Sequence, residues 1–399
     1  MDMVRNANSV EGTSEKPARL MSLDALRGAD MLFIMGFAQM VVALCAVLGF
    51  KGCWLAVQMT HVPWEGFHHH DTIFPLFLFL AGVSWPFSLA AQRAKGRTTG
   101  QIVRKIFLRA VTLVFLGLAV GALFTFDVSR YRYDSVLAHI GVCWAGAALL
   151  ALFVRSWRWR LAAAFALMIG YWLLVYLIPA PDVEAVLAST DPAVMKKVAQ
   201  YAALGTGPFT PIGSFACWFD RMFCPGVLYE TIFNADGLLG KLTGVALAIF
   251  GTLAGELLRE KTLSGNRKTL LLLLAAAASG LLLLVWQPVC PIIKKIWTPT
   301  FVLASATYAL TVLALFYWTI DVKGWRGWSF FFRVIGMNSI TIYLLQHFIN
   351  FQSASERLLS GVMGLGNADW AQFVSLLGRV AIAWLVLWYF YRNKTFLKV

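Results

Sequence analysis

Long apolar segments separated by short polar connections occupy most of this chain of 399 residues. A helix needs about 20 mostly apolar residues to cross a lipid bilayer. Ten segments come close to that length: 29–50, 71–92, 106–126, 135–154, 159–178, 237–258, 269–287, 299–320, 331–350 and 372–391. The pattern predicts an all-α, polytopic integral membrane protein with about 10 transmembrane helices.

The basic residues predict how these helices are oriented. Of the 34 Lys and Arg residues, 23 lie in the two termini and in the connections on the same side as the termini. Nine lie in the connections on the other side. Because Lys and Arg are enriched in cytoplasmic loops, both termini are predicted to be cytoplasmic.

Composition narrows the class of protein further. Hydrophobic residues make up 59% of the chain and charged residues 14%, whereas soluble domains carry about 25% charged residues. This excludes a disordered chain, a small disulfide-framed protein and an ordinary soluble enzyme. The net charge of +14 is accounted for by the cytoplasmic loops, so nucleic acid is not expected as a partner.

Two stretches stand apart from the pattern of spans: the first 18 residues and the longest connection. Residues 1–18 are rich in Ser, Asn, Glu and Gly and are predicted to be a disordered cytoplasmic tail. Residues 19–399 are predicted to form a single transmembrane domain. Its longest connection, 179–236, is predicted to lie outside, and a loop of that length commonly has a functional role or acts as a lid.

Four cysteines fall on the predicted outer side, where disulfides are permitted. They are Cys53, Cys217, Cys224 and Cys290. Four cysteines allow three pairings, and Cys217–Cys224 closes the shortest loop.

Ionisable residues at the ends of spans are the strongest functional signal, because charge is costly inside a bilayer. His61 and the run His68–Asp71 precede the second span. His61 is either a solvated loop residue or a general base. Asp71 either caps the helix or orients a histidine. Consecutive histidines do not converge on one ion, so no metal is expected.

Three further polar clusters each leave two interpretations open. Asp24 and Arg27 form either an interfacial ion pair or a phosphate contact. The polar residues of the ninth span make interhelical hydrogen bonds or polarise a substrate carbonyl; they include Asn338, Ser339 and His347. A cytoplasmic basic cluster binds anionic lipid or a phosphorylated cofactor; it comprises Arg93, Arg97, Arg104, Lys105 and Arg109.

Several motifs occur together in one order. They are Arg19-x-x-Ser-x-Asp-x-x-Arg-Gly28, His61-x-x-Trp-x-Gly66, Asp71-x-x-Phe-Pro-x-Phe-x-Phe-x-x-Gly-x-Ser84, Asp236-Gly-x-x-Gly240, Lys295-Ile-Trp297 and Gly336-Met-Asn-Ser339. In this order and spacing they resemble the membrane-bound heparan-α-glucosaminide N-acetyltransferase family and its bacterial relatives. Two positions depart from the family pattern: His139 stands where the family commonly has Arg, and Gln39 is the nearest residue to a family Asn.

The resemblance implies a transmembrane acyltransferase of the cell (inner) membrane. Acetyl-CoA would enter from the cytoplasm, and the acetyl group would end on the amine of a glucosamine-like sugar outside. His61 corresponds to the family's active-site histidine and would act as general base or carry the acetyl group itself. Asp71 would set the imidazole tautomer, while Asn338 or Ser339 would donate to the oxyanion.

The remaining expected contacts concern the two substrates. Arg27 and the basic cluster would hold the nucleotide end of CoA. The sugar would be bound by residues of the outer face, namely Trp64, Glu65, Asp220, Asp236 and His347. A polysaccharide O-acyltransferase and a sugar or solute transporter are the alternative functions. Membrane lipids are expected partners, and a homodimer is one of the oligomeric states left open.

Overall fold

The computed structural model describes residues 20–122 and 131–397. Within these ranges the regular secondary structure is helical and contains no strand, which confirms the predicted all-α class. The predicted tail, 1–18, lies outside the described residues.

The N-terminal half begins with a bent span. The first helix, α1 (Met21–Leu32), is followed by a π-helical turn, Phe33–Phe37, in which Gly36 has a φ of 119°. Only glycine adopts this conformation readily, so the bend is fixed at that position. The helices of this half are α1 Met21–Leu32, α2 Ala38–Val47, α3 Trp54–Gln58, α4 Ile73–Ala94, α5 Thr99–Ala122, α6 Val136–Phe153 and α7 Trp157–Leu177.

The C-terminal half follows three short helices in the long connection. The helices of the connection are α8 Val183–Leu187, α9 Pro192–Tyr201 and α10 Phe215–Phe223. The remaining helices are α11 Gly240–Arg259, α12 Gly265–Trp286, α13 Pro299–Phe316, α14 Ser329–Gly336, α15 Ser339–Phe348, α16 Phe351–Leu358, α17 Ser360–Met363 and α18 Ala368–Arg392.

Eight helical segments in the described ranges are long and apolar enough to cross a membrane: Met21–Val47, His69–Ala94, Val136–Phe153, Trp157–Leu177, Gly240–Arg259, Gly265–Trp286, Pro299–Val322 and Ala368–Arg392. They coincide with eight of the ten predicted spans and confirm a polytopic helical membrane protein. Of the other two, 106–126 falls on α5, whose end borders residues that are not described.

The predicted span 331–350 is not one continuous helix. It is divided into α14 and α15, and the break lies at Asn338. The Asn338 side chain donates to the carbonyl of Val334, and the Ser339 hydroxyl donates to that of Gly336. Asn and Ser side chains compete in this way with the backbone bonds of a helix, which explains the break.

Two motif glycines bring α1 and α14 into backbone contact. A Cβ atom on Gly28 would lie 1.7 Å from the carbonyl oxygen of Phe332, and one on Gly336 would lie 1.8 Å from that of Asp24. Small residues allow membrane helices to approach this closely. The first and last motifs of the chain are therefore joined in space.

Helix α4 separates the two ends of the molecule. It contains 22 residues, which corresponds to about 33 Å at 1.5 Å per residue. His69 and Asp71 precede its first residue, whereas Arg93 lies in its last turn. The predicted basic cluster and the His61 loop consequently lie at opposite ends of the bundle.

We call the end of the bundle that carries His61 its outer end. The connection 179–236 is folded against this end. Its core also includes Trp64 and residues that follow α12: the buried members are Trp64, Val186, Tyr201, Ile212, Cys217, Ile232, Phe233, Ile293 and Ile296. We call this unit the outer subdomain. All six cysteines are free, so none of the pairings left open for the four outer cysteines is present, including Cys217–Cys224, which would close the shortest loop. Cys217 is buried in the core, whereas the Cys224 sulfur accepts a hydrogen bond from Asn234.

Replacing Gly336 by Ala is expected to destabilise the bundle by about 1–3 kcal/mol, because a methyl group there overlaps the α1 backbone. Thermal unfolding in detergent, followed by size-exclusion chromatography, measures the effect. Gly170→Ala on α7 is the control, since nothing lies within 4 Å of a Cβ at that position. Equal stability of the two variants would contradict the close contact.

Candidate functional site

The His61 side chain is held by a buried carboxylate at the outer end of α4. Its Nδ1 lies 2.7 Å from Asp71 Oδ1. The other oxygen of Asp71 accepts the backbone N–H groups of Val62 and His68, at 3.3 and 3.2 Å. Asp71 therefore orients His61, and its second oxygen secures the loop before the helix instead of accepting the first-turn N–H groups of α4 as the cap considered for it would.

Exposure differs sharply within this pair. The Asp71 side chain is 2% exposed, whereas that of His61 is 55% exposed. Among the described residues, His61 Nε2 has no hydrogen-bond partner. A neutral imidazole that donates from Nδ1 to the carboxylate presents a basic Nε2 to a substrate.

Lys294 completes this cluster, and the sequence analysis missed it. Its Nζ lies 3.1 Å from His61 Nδ1 and 3.3 Å from Asp71 Oδ1. The ammonium supplies the counter-charge that a buried carboxylate needs. The sequence held one signal for this residue. The basic pair Lys294–Lys295 lies on the predicted side that is poor in Lys and Arg.

Two backbone contacts place Lys294 beside a loop far away in the sequence. Gly66 N–H donates to the carbonyl of Ile292 at 2.9 Å, and Glu65 forms an antiparallel bridge with Ile293. Gly66 has a φ of 128°, so a side chain at this position would strain the turn.

No group of three or more His, Cys, Asp and Glu side chains in the described ranges is arranged to hold a metal ion. His70 packs against His61, with ring centroids 4.4 Å apart. His69 points elsewhere and contacts Tyr308. The three adjacent histidines thus diverge.

A cavity of about 460 Å³ lies inside the bundle and extends from the basic side towards the outer end. It is bounded by α1, α4, α5, α6, α14 and α15. Arg27, Ser84 and Arg109 line its basic end. Phe74 and Val136 line it at the outer ends of α4 and α6, and Tyr343 lines it from the middle of α15. Phe74 comes three residues after Asp71, but His61 itself does not line the cavity.

The basic end combines two arginines with aromatic and hydroxyl groups. Arg27 pairs with Asp24 at 3.3 Å and donates to the Ser84 hydroxyl. The guanidinium of Arg109 lies 4.4 Å from the centre of the Trp144 ring. A second cavity of about 410 Å³ shares Arg109 and is also lined by Lys105. The pair considered at Asp24–Arg27 therefore exists, and its Arg also faces the cavity.

The other predicted basic residues lie outside these cavities. Arg93, Arg97 and Arg104 are exposed at the same end of the bundle. Arg97 donates to Gln92 at 3.5 Å. The structure thus brings Arg27, Lys105 and Arg109 together and leaves the other three on the surface.

Asn338 and Ser339 differ in their surroundings. Ser339 lines the large cavity, whereas Asn338 does not and is 1% exposed. No hydrogen bond among the described residues joins either side chain to His61. Their oxyanion role stays a prediction.

The residues predicted to bind sugar are dispersed. Trp64 is buried, and its indole N–H donates to the carbonyl of Phe209 at 2.8 Å. Asp236 is buried and accepts from the Trp297 indole at 2.6 Å. Glu65 and His347 are exposed, His347 with its Nδ1 2.8 Å from the carbonyl of Tyr343. Trp64 and Asp236 support the fold in this structure, and contact of these residues with sugar stays a prediction.

Asp220, the remaining predicted sugar ligand, lies inside the outer subdomain. Its carboxylate accepts the backbone N–H groups of Leu238 and Asn234 at 2.8 and 3.3 Å. Burial raises its pKa to about 7, because a charged carboxylate loses solvation there.

The departure at His139 is accommodated by local packing. The ring is fully buried and stacks on Trp297, with centroids 4.4 Å apart. Its Nδ1 lies 3.0 Å from the carbonyl oxygen of Asp236. A Cβ on Gly244 would lie 2.6 Å from Nε2, so this space fits an imidazole and leaves little room for a longer side chain.

Comparison with known proteins supports the resemblance seen in the motifs. No family model matches the chain. The heparan-alpha-glucosaminide N-acetyltransferase of Homo sapiens is 25% identical over an alignment of 425 positions, which covers 94% of this chain and 61% of that protein. The Mus musculus protein of the same name is 24% identical over 375 residues, covering 82% and 56%. The chain thus spans about three fifths of the length of these relatives, and the predicted resemblance is confirmed.

The pKa of Asp220 generates a prediction for stability. Because the folded-state pKa, about 7, lies above the ordinary value of 3.8, the unfolded chain ionises first as the pH rises. Stability is therefore expected to fall between about pH 4 and pH 7 and to level off above. Asp220→Asn should flatten this decline in thermal unfolding measured across that range.

Asp191→Asn is the matched control. Asp191 caps α9 through the N–H of Ala193, and Asn caps a helix about equally well. The pH dependence of this variant should follow that of the wild type. An unchanged decline in Asp220→Asn would show that other groups cause it.

Proposed function

From this similarity we propose that the protein is a transmembrane acetyltransferase. It moves an acetyl group from cytoplasmic acetyl-CoA to the amine of a glucosamine-like amino sugar, or of a glycan carrying one, outside the cell (inner) membrane. The observation that carries the proposal is the cavity that begins between Arg27 and Arg109 and ends near Phe74, close to the His61–Asp71 pair.

The proposed topology has ten crossings and both termini in the cytoplasm. The eight spans are supplemented by α5 and by the broken pair α14–α15. The excess of Lys and Arg on the side of the termini supports this orientation. It makes residues 19–399 one acyltransferase domain and gives His61 an extracytoplasmic position.

The dimensions of the cavity fit the pantetheine arm of CoA. Ser84, beside Arg27, and Phe74 are ten residues apart on α4, about 15 Å along the helix axis. An extended pantetheine arm of roughly 15–20 Å spans this distance. Arg27, Lys105 and Arg109 would bind phosphate groups at the basic end. Arg93, Arg97 and Arg104 would attract the nucleotide from the surface.

In the proposed reaction His61 removes a proton from the acceptor nitrogen through Nε2. The nitrogen attacks the thioester carbonyl, so a C–N bond forms, the C–S bond breaks and the departing thiolate takes up a proton. Asp71 holds the imidazole by Nδ1, and Lys294 balances the charge of Asp71. Transfer through an acetylated His61 is the other route open to the same geometry.

Ser339 is the better placed of the two proposed oxyanion donors, because it lines the cavity. Its hydroxyl donates to the Gly336 carbonyl in this structure, so it would have to rotate towards the thioester. A donor aimed at the developing charge stabilises the transition state. Asn338 would need a larger movement, since its side chain is buried against α14.

His61→Ala is expected to lower acetyl transfer to glucosamine by about 100-fold or more, because a general base is lost. The measurement is acetylated product formed from acetyl-CoA by purified protein in detergent. His68→Gln is the control, since the His68 ring lies 3.0 Å from the Thr60 carbonyl and no hydrogen bond joins it to His61 in the described structure. Wild-type activity in His61→Ala would remove His61 from catalysis.

The same assay separates the two acyltransferase functions. Glucose offers hydroxyl groups without the amine. Acetylation of glucosamine but not glucose supports the N-acetyltransferase, whereas equal acetylation of both would favour an O-acyltransferase.

Arg109→Gln is expected to weaken CoA binding about tenfold, as the loss of one charge-assisted hydrogen bond of about 1.5 kcal/mol predicts. Calorimetric titration with CoA in detergent gives the Kd. Arg155→Gln is the control, since Arg155 is exposed and lines neither cavity. Absence of saturable CoA binding in the wild type would favour a transporter.

A further inference from the structure

The second cavity at the basic end of the bundle has walls suited to an anion. It lies between α4, α5 and α6. Its volume of about 410 Å³ is within the range of small-molecule sites. Lys105 and Arg109 line it with two positive charges, and no Asp or Glu of the described residues is in its wall. An anion is therefore attracted there and meets no opposing charge.

Neither of these two cations is neutralised within the described part of the chain. Lys105 and Arg109 form no ion pair with any described residue. The guanidinium of Arg109 is held by Trp144 instead, whose ring centre lies 4.4 Å away. A guanidinium placed over a ring can still donate its N–H groups to an acceptor. A phosphate is the acceptor that best matches such a group, because the hydrogen bonds are charge-assisted.

Aromatic rings close this cavity towards the interior of the bundle. Trp85 and Trp144 line it and are 2% and 3% exposed. Their rings meet edge to face, with centroids 5.6 Å apart. Ser88 and Gln92 also line the cavity from α4, and Gln92 Nε2 donates to the Ser88 hydroxyl at 3.2 Å. The inner wall thus combines flat apolar surfaces with hydrogen-bonding groups.

The outer wall of the cavity is exposed and adjoins the apolar surface of α5. Leu108 and Thr112, one turn apart on α5, line the cavity and are exposed. Three large apolar side chains of the same helix are 53–67% exposed: Phe107, Val111 and Phe115. On a membrane-spanning helix such side chains contact lipid chains. Lys105 immediately precedes the predicted span 106–126, so it lies at the depth of lipid headgroups.

We propose that the second cavity binds the headgroup of an anionic phospholipid. The lipid phosphate contacts Lys105 and Arg109, and the acyl chains lie along the exposed apolar side chains of α5. Ser88 and Gln92 face the polar groups of the headgroup and supply hydrogen bonds to them. Basic pockets between membrane helices on the cytoplasmic side are suited to such headgroups, and the proposed topology puts this end of α5 in the cytoplasmic leaflet.

A phosphate group of CoA is the other source of the same chemistry, because the proposed function also gives these two cations to CoA. Two observations favour the lipid. Lys105 lines the second cavity but not the large one, and Arg109 alone lines both. The wall formed by Leu108 and Thr112 is exposed on the side of the lipid-facing residues of α5. The lipid site does not rest on the proposed acetyl transfer.

Native mass spectrometry of the full-length protein, freed of lipid in detergent, tests the site by titration with two lipids. Phosphatidylglycerol is expected to bind about tenfold or more tightly than phosphatidylcholine, whose ammonium group is repelled by the two cations. Lys105→Gln should weaken phosphatidylglycerol binding about tenfold, since one charge-assisted contact is lost, and Lys105→Arg should retain it. Arg104→Gln is the matched control, because Arg104 is the neighbouring cation, is exposed and lines neither cavity.

CoA added to the lipid-loaded protein separates the two sources of phosphate. The expected spectrum contains protein that carries CoA and phosphatidylglycerol together. Release of the lipid whenever CoA binds would assign the cavity to the nucleotide and overturn the lipid site. Equal affinity for the two lipids, or equal loss in Lys105→Gln and Arg104→Gln, would overturn it as well. None of these results bears on His61, whereas protein that binds the lipid but no CoA would contradict the proposed acetyl transfer alone.

Discussion

The buried carboxylate of Asp71 is the interaction on which the outer face of the molecule depends. Its two oxygens contact the His61 ring, the Lys294 ammonium and two backbone N–H groups. A carboxylate at 2% exposure is stable only when such partners replace its hydration. The loop before α4 and the loop after α12 are consequently tied to each other, and His61 takes its orientation from both.

Helix α4 connects this outer cluster to the basic end of the bundle. Its first turn follows Asp71, its middle lines the cavity through Phe77 and Ala81, and Ser84 meets Arg27. One rigid element therefore fixes the distance between the proposed phosphate-binding groups and the proposed base. The glycine contact between α1 and α14 places the opposite wall of the same cavity.

Polar groups inside the bundle fall into two kinds. Asp24 and Asp71 have cationic partners at 3.3 Å, from Arg27 and Lys294 respectively. Asp30 has none in the described structure, and its Oδ2 is without a hydrogen-bond partner there. The first kind ties loops and helices together through its ion pairs, whereas the second is buried without such compensation. The described part of the bundle thus accommodates both kinds without a disulfide.

The sequence by itself determined eight of the spans, the opposite placement of His61 and the basic cluster, and the pairing of neighbours such as Asp24 with Arg27. Hydrophobic length and i, i+3 spacing are local properties, so they can be read along the chain. Tertiary structure alone decided the partners of buried charges. Lys294 meets His61 across 233 positions, Asn338 breaks its span, and Trp64 lies in the core of the outer subdomain. Such contacts depend on which distant helices pack together, because a buried polar group is satisfied by whatever the fold brings within reach.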